Sequence, residues 1–172
     1  MKLYIVRHAE AIERGGKTPD AWRYLTPQGR SLFRKTAKRL RKMGVCPEYI
    51  ITSPLLRAVQ TADILAEALT FEGPLVVAEE LAAGFDRGKM PTLLAAFPQA
   101  RGVVLVGHEP DLSALVHSLL GLPHAFKFRK GGVVALKYDP AAPDRPAVFK
   151  WMADGSKDIL LTVEELLDKY SV

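Results

Sequence analysis

The chain has 172 residues and carries 24 Lys or Arg against 19 Asp or Glu, which gives a formal net charge of +5 at pH 7. This length is typical of one domain, and a mild positive charge favours anionic partners without indicating nucleic acid. The single cysteine, Cys46, excludes an intramolecular disulfide, and neither a signal peptide nor a transmembrane run is visible, so we expect a cytoplasmic protein that binds neither nucleic acid nor membranes.

Apolar strand-like runs alternate with helical patterns along the chain. In chain order the pattern predicts a strand over Lys2–Val6, a helix over Pro27–Met43, a strand over Tyr49–Thr52, a helix from Ser53-Pro54 to Leu69, a strand over Leu75–Val77, a helix over Met90–Phe97, a strand over Val103–Val106, a helix from Glu109-Pro110-Asp111 to Gly121, strands over Gly132–Tyr138 and Ala147–Met152, and a helix over Val163–Tyr170. Two of these helices begin with an N-cap residue followed by proline, namely Thr26 with Pro27 and Ser53 with Pro54.

This alternation predicts an α/β fold of one domain, residues 1–172, built as a three-layer sandwich with a mostly parallel central sheet flanked by helices. The segment Glu10–Leu25 has no clear periodicity and contains Gly15-Gly16. A loop of this length is often a lid or a binding loop, and surface disorder is the competing interpretation.

Polar and reactive side chains follow three of the predicted strands directly. Arg7 and His8 follow the first strand, Arg57 lies shortly after the second, and His108 comes after Val103–Val106. Because ligands of open α/β sheets bind outside the carboxyl ends of the strands, these four side chains are expected to meet at one edge. Alternate residues of a strand point to opposite faces, so Arg7 and His8 converge only if His8 lies beyond the regular strand.

Two arginines without obvious carboxylate partners indicate an anion site, since guanidinium groups bind phosphate oxygens bidentately. The N-termini of the helices that follow Ser53 and Glu109 add positive potential at the same edge. A neutral imidazole is a competent nucleophile at neutral pH and can accept a phosphoryl group and lose it to water. The pattern therefore indicates phosphoryl transfer.

Three sequence pieces carry a resemblance to a known family: Val6-Arg7-His8-Ala9, Ser53-Pro54-Leu55-Leu56-Arg57-Ala58-Val59-Gln60-Thr61-Ala62 and Val106-Gly107-His108-Glu109-Pro110. In this order they resemble the histidine phosphatase superfamily, which has the phosphoglycerate mutase-like fold. The short chain and the segment Leu25-Thr26-Pro27-Gln28-Gly29 are similar to SixA-type phosphohistidine phosphatases. The resemblance implies His8 as the phosphorylated nucleophile, a phosphate pocket of Arg7, Arg57 and His108, and no metal or other cofactor.

The sequence indicates the general acid less clearly than it indicates the nucleophile and the phosphate pocket. Many members of the superfamily place a carboxylate after the third strand, where this chain has Glu79-Glu80-Leu81 and, further on, Asp86. Glu80 is the predicted catalytic acid because it directly precedes Leu81, as in the related pattern. Glu80 could instead solvate or cap a loop, and Glu109 is a rival acid that could also be a helix N-cap.

Little of the chain is left to cover the pocket, since Gly73–Arg101 is the main candidate insertion and is short. A shallow pocket favours a phosphorylated protein as the partner, with phosphohistidine on, for example, a histidine phosphotransfer domain as the predicted substrate. A small-molecule phosphomonoesterase with the same site and a non-catalytic phosphoprotein-binding module are the alternatives. Metal-dependent hydrolysis fits poorly, because two arginines in the pocket would repel a cation.

Overall fold

The computed structural model describes residues 1–156 and 158–171, and within these residues the chain forms a seven-stranded mixed sheet flanked by helices. The strands are β1 (Lys2–Arg7), β2 (Tyr49–Thr52), β3 (Leu75–Val77), β4 (Gly102–Gly107), β5 (Val133–Lys137), β6 (Val148–Ala153) and β7 (Ile159–Leu160). The helices are α1 (Pro27–Lys42), α2 (Leu56–Leu69), α3 (Met90–Ala95), α4 (Asp111–Leu120) and α5 (Val163–Tyr170).

The sheet has the strand order β3-β2-β4-β1-β5-β6-β7. Strands β3, β2, β4 and β1 are parallel neighbours, whereas β5, β6 and β7 each pair antiparallel with the strand before them in that order. The prediction of a mostly parallel sheet is confirmed, and the antiparallel edge follows from the short connection between β5 and β6, which allows a hairpin but not a crossover.

The two faces of the sheet carry separate hydrophobic cores. Leu3 and Ile5 belong to the core that also contains α4 and α5, while Tyr4 and Val6 belong to the core beneath α1 and α2. Strand β4 is buried on both faces, as expected for the centre of a parallel sheet. The predicted three-layer sandwich is therefore confirmed. Across residues 1–156 and 158–171, no helix is long and apolar enough to cross a membrane.

Most predicted boundaries agree with the structure to within two residues, with two exceptions. The two-residue strand β7 was not predicted, because so short an edge strand has no period to detect. The second helix begins at Leu56 with Leu55 as N-cap, so the assignment of Ser53 as cap is wrong. The Ser53 hydroxyl accepts a hydrogen bond from the Leu55 N–H at 3.3 Å and contacts a histidine instead.

The segment Glu10–Leu25, called the strap below, is a loop fixed at both ends rather than disordered surface. Its two arms meet at the bridge between Ala11 and Leu25, and the Leu25 N–H donates to Oε1 of Gln60 on α2 at 2.8 Å. The other arm lies against α1 at Gly29, where an added Cβ would come within 2.2 Å of the Glu10 carbonyl oxygen. Contacts on two helices therefore hold the strap beside the carboxyl ends of the parallel strands.

Candidate active site

The predicted site residues come together at the carboxyl ends of β1, β2 and β4. Arg7 is the last residue of β1 and pairs with Gly107 at the end of β4, which places His8 and His108 next to each other, just beyond the regular strands. The two imidazole ring centroids lie 5.1 Å apart. Both histidines are buried, at 9% and 7% relative exposure.

His8 is held in one tautomer by its neighbour along the chain. Its Nδ1 lies 2.7 Å from the Ala9 carbonyl oxygen, which can only accept, so Nδ1 carries the proton and Nε2 keeps its lone pair. Burial is the main reason that the pKa of His8 falls to about 3, and the positive charges of Arg57 and Arg7 lower it further. At neutral pH the ring is therefore uncharged and has a free nucleophilic nitrogen.

His108 is fixed from the neighbouring strand end. Its Nε2 lies 2.7 Å from the Ser53 hydroxyl, while its Nδ1 is buried without a partner in the described part of the chain. Burial and the nearby Arg57 lower the pKa of His108 to about 4. A bound anion would stabilise the protonated form of this ring and give its free Nδ1 an acceptor.

Arg57 lies in the first turn of α2 with its side chain only 3% exposed. One terminal nitrogen donates to the Asp20 carbonyl at 2.8 Å and the other to the Asp20 carboxylate at 3.2 Å. The inference that both arginines lack a carboxylate partner is therefore wrong for Arg57, whose partner comes from the strap. Thr61 joins this helix to the segment that follows β1, because its hydroxyl accepts from the Ala9 N–H at 3.0 Å and donates to the Arg57 carbonyl at 2.7 Å.

Arg7 is positioned through a backbone peptide on the other side of the site. One of its terminal nitrogens donates to the Phe128 carbonyl, and the backbone N–H of Phe128 donates to Ser113 Oγ at 3.2 Å. The Ser113 hydroxyl in turn donates to Oε2 of Glu109 at 2.6 Å. This chain of hydrogen bonds fixes the guanidinium and leaves its Nε free for another acceptor.

Buried nitrogen atoms without partners are concentrated at this site. Residues 1–156 and 158–171 contain five buried side-chain polar atoms without a hydrogen bond, and three of them are Arg7 Nε, Arg57 Nε and His108 Nδ1. A buried donor without an acceptor is costly, so native proteins rarely keep one without a role. Two guanidinium donors and one imidazole nitrogen without a partner therefore surround the uncharged His8, and a tetrahedral anion would give the two donors their acceptor.

The two candidate acids lie in different surroundings. Glu80 is exposed on a 3-10 turn, and no hydrogen bond or ion pair joins it to the pocket within the described residues. Glu109 is half-buried, and burial is the main cause that raises the pKa of its carboxyl group. The N-cap of α4 is Pro110, and the Glu109 carboxylate accepts from the Ser113 side chain, so the interpretation of Glu109 as an N-cap is wrong.

Two residues of the site have contacts that the sequence does not predict. Asp20 lies in the strap, 37 positions from Arg57, and nothing in its neighbourhood predicts that contact. Ser53 is interpreted as a helix cap and belongs to the second family-like piece, but neither predicts that its hydroxyl contacts His108. Gln60 and Thr61 belong to the family resemblance alone, and in the structure they anchor the strap and the segment after β1, respectively.

Comparisons with known proteins agree with this geometry. The model of the histidine phosphatase superfamily (branch 1) matches residues 3–83. An uncharacterized protein of Picosynechococcus sp. is 38% identical over 145 residues, covering 80% of this chain and 85% of that protein. The serine/threonine-protein phosphatase Pgam5 of Drosophila melanogaster is 33% identical over 75 residues, and the match spans 44% of this chain but only 25% of that relative.

Solved structures extend the likeness over nearly the whole fold. The protein histidine phosphatase SixA, solved with tungstate, superposes with a TM-score of 0.79 at 25% identity and covers 90% of this chain and 97% of its own. A mycobacterial glucosyl-3-phosphoglycerate phosphatase shares the fold with a TM-score of 0.60 at 21% identity, over 78% of this chain and 89% of its own. Because the family model matches and the SixA fold extends over 90% of this chain, the chain belongs to the histidine phosphatase superfamily.

Proposed function

We propose that the protein hydrolyses phosphohistidine on other proteins through a covalent phosphoryl intermediate on His8. The observation that carries this proposal is the uncharged His8 ring, with Nδ1 bound to a carbonyl and Nε2 free, next to three buried nitrogen atoms without partners, two of them arginine N–H donors. Phosphatase chemistry is the activity of the superfamily, and the phosphorylated substrate class follows from it.

In the first step Nε2 of His8 attacks the phosphorus of the substrate. The new P–N bond forms as the bond to the leaving group breaks, and the electron pair of the broken bond stays on the leaving nitrogen or oxygen. Arg7, Arg57 and His108 balance the charge on the three equatorial oxygens, which is most of what a protein supplies to phosphoryl transfer. Two arginines at the pocket would repel a cation, so we propose that the reaction needs no metal or cofactor.

In the second step water attacks the phosphorylated ring. The P–N bond to His8 breaks, its electron pair returns to Nε2, one water proton passes to solvent, and inorganic phosphate leaves. The same three side chains hold the phosphoryl oxygens in both steps, so one pocket is sufficient for the complete cycle.

Two features favour phosphohistidine over a phosphate ester. A phosphorylated imidazole leaves without a strong acid, so its hydrolysis does not depend on the exposed Glu80, the proposed proton donor for ester oxygens. The likeness to the protein histidine phosphatase SixA supports the same substrate. A small-molecule phosphomonoesterase is the second candidate, because a glucosyl-3-phosphoglycerate phosphatase shares the fold.

Competing substrates separate these candidates. With purified protein, we expect kcat/KM for a histidine phosphotransfer domain carrying phosphohistidine to exceed that for glycerol, sugar and nucleotide phosphates by roughly two orders of magnitude or more, since those esters need leaving-group protonation. Phosphate release is measured for all substrates at equal ionic strength. A preference for one of the small esters would reject the phosphohistidine proposal, and no turnover of any substrate with retained binding would favour a binding module.

Carboxylate-to-amide variants test the general acid. We propose that Glu80 protonates leaving oxygens, so E80Q should lower kcat for glycerol phosphate by about 10²-fold but change phosphohistidine hydrolysis by less than about threefold, because only the ester needs the proton. E109Q is the matched control. It should reduce the turnover of both substrates equally, because Glu109 positions Arg7 through Ser113 and Phe128. A loss confined to the ester in E109Q would transfer the acid role to Glu109.

A further inference from the structure

The strap displays large side chains that nothing in the described residues covers. Trp22 is 65% exposed and Tyr24 is 47% exposed, although aromatic side chains of this size are usually well buried. Arg14 has 76% of its side chain exposed, and Lys17 is exposed on the same loop. Trp, Tyr and Arg are the residues that most often anchor protein interfaces.

The same loop is fixed to the phosphate pocket. Asp20 binds both terminal nitrogens of Arg57, through its carbonyl at 2.8 Å and its carboxylate at 3.2 Å. Arg23 holds Asp20 from the other side at 2.9 Å and donates its Nε to the Ile12 carbonyl at 2.8 Å. A polypeptide bound on the strap would therefore lie against the wall of the pocket.

The strap itself carries three acidic and three basic residues, but around Asp20 the basic groups are in excess. One carboxylate is shared by three guanidinium groups, those of Arg14, Arg23 and Arg57. Arg14, Arg23 and Asp20 line a cavity of about 420 Å³ at the edge of this cluster. The ion pair of Arg14 is solvent-exposed and therefore weak, so this guanidinium can exchange Asp20 for a carboxylate of a partner at little cost.

We infer that the strap is the docking surface for the phosphorylated polypeptide, and that it selects phosphohistidine flanked by acidic residues. This inference rests on the proposed function and narrows its substrate class. Trp22 and Tyr24 would contact the polypeptide on either side of the phosphorylated residue, and Arg14 would bind a flanking carboxylate. A small phosphate ester held between Arg7 and Arg57 is too small to cover these aromatic side chains as well.

Synthetic peptides of equal length provide the test. One carries a chemically phosphorylated histidine between glutamates, the other between lysines, and phosphoramidate is the reference without a polypeptide. For the wild type we expect kcat/KM for the acidic peptide to exceed that for the basic peptide by about tenfold or more at low salt, falling as salt is added. R14E should abolish this preference, whereas K35E, an equal charge change on α1, should leave it intact.

The aromatic part of the surface is tested separately. W22A should lower kcat/KM about tenfold for both peptides and leave phosphoramidate within about twofold, because only a polypeptide contacts Trp22. L161A is the matched control, since Leu161 is 64% exposed and lies after β7. Equal kcat/KM of the wild type for both peptides, or equal losses of W22A on peptides and phosphoramidate, would reject the docking surface. Failure of the wild type on every substrate would instead reject the proposed phosphatase function.

Discussion

Replacing His8 with alanine is expected to lower kcat on phosphohistidine and on phosphate esters by roughly 10⁴-fold or more, because removing a covalent nucleophile removes the reaction path itself. Labelled substrate mixed with the wild type and quenched in alkali within the first turnover should leave phosphate on the protein, and H8A should leave none. Alkali is required because phosphohistidine is labile in acid.

A second histidine variant controls for the first. H124A changes an exposed histidine in the connection between α4 and β5, and turnover should stay within about twofold of the wild type, as is usual for surface substitutions. H8N retains a polar side chain of similar size and should be as inactive as H8A, with an unchanged melting temperature. Turnover by either His8 variant at more than about one per cent of the wild-type rate would contradict the covalent mechanism.

Replacing Arg57 with alanine is expected to lower kcat/KM by about 10³-fold. One preorganised donor to the transferred oxygens typically raises the rate by about 10²- to 10³-fold, and Arg57 also anchors the strap. R57K keeps a positive charge, but a lysine cannot hold both Asp20 oxygens and a phosphate oxygen together. The kcat/KM of R57K should therefore exceed that of R57A by less than about tenfold. Competitive inhibition by inorganic phosphate should weaken in parallel.

The matched control for Arg57 is R34A on α1. Arg34 is partly exposed and pairs with Glu67 at 3.8 Å, so its loss should change kcat/KM by less than about twofold. Circular dichroism should show R57A folded, because the buried core of α2 does not depend on the guanidinium. A loss below about tenfold in folded R57A would remove Arg57 from the proposed phosphate pocket.

The parts of the fold that follow from periodicity could be predicted from the sequence. Strands β1, β2 and β4 are short apolar runs, and α1 has both a proline start and a strong apolar stripe, so local chemistry is sufficient to find them. Polar side chains that directly follow these strands can also be predicted to lie close together, since the carboxyl ends of parallel strands lie at one edge of the sheet. His8 and His108 follow from this argument without knowledge of the contacts.

The strap could not be predicted in this way. Its shape depends on contacts with residues far along the chain, such as the Leu25 N–H with Gln60 and Asp20 with Arg57. These contacts are specific to the folded structure and leave no period in the sequence. For the same reason Ser53 was assigned to a helix cap, although the position of β4 brings His108 to its hydroxyl.

The proton that the Ala9 carbonyl keeps on Nδ1 of His8 has a consequence for the lifetime of the proposed intermediate. A ring that is protonated at Nδ1 and phosphorylated at Nε2 is an N-phosphorylated imidazolium, whose leaving group is neutral imidazole. Departure then needs no proton transfer to or from the ring, so water meets an activated phosphorus from the moment that the intermediate forms. The carbonyl of a neighbouring alanine would thereby make the modified enzyme short-lived and return it ready for the next turnover.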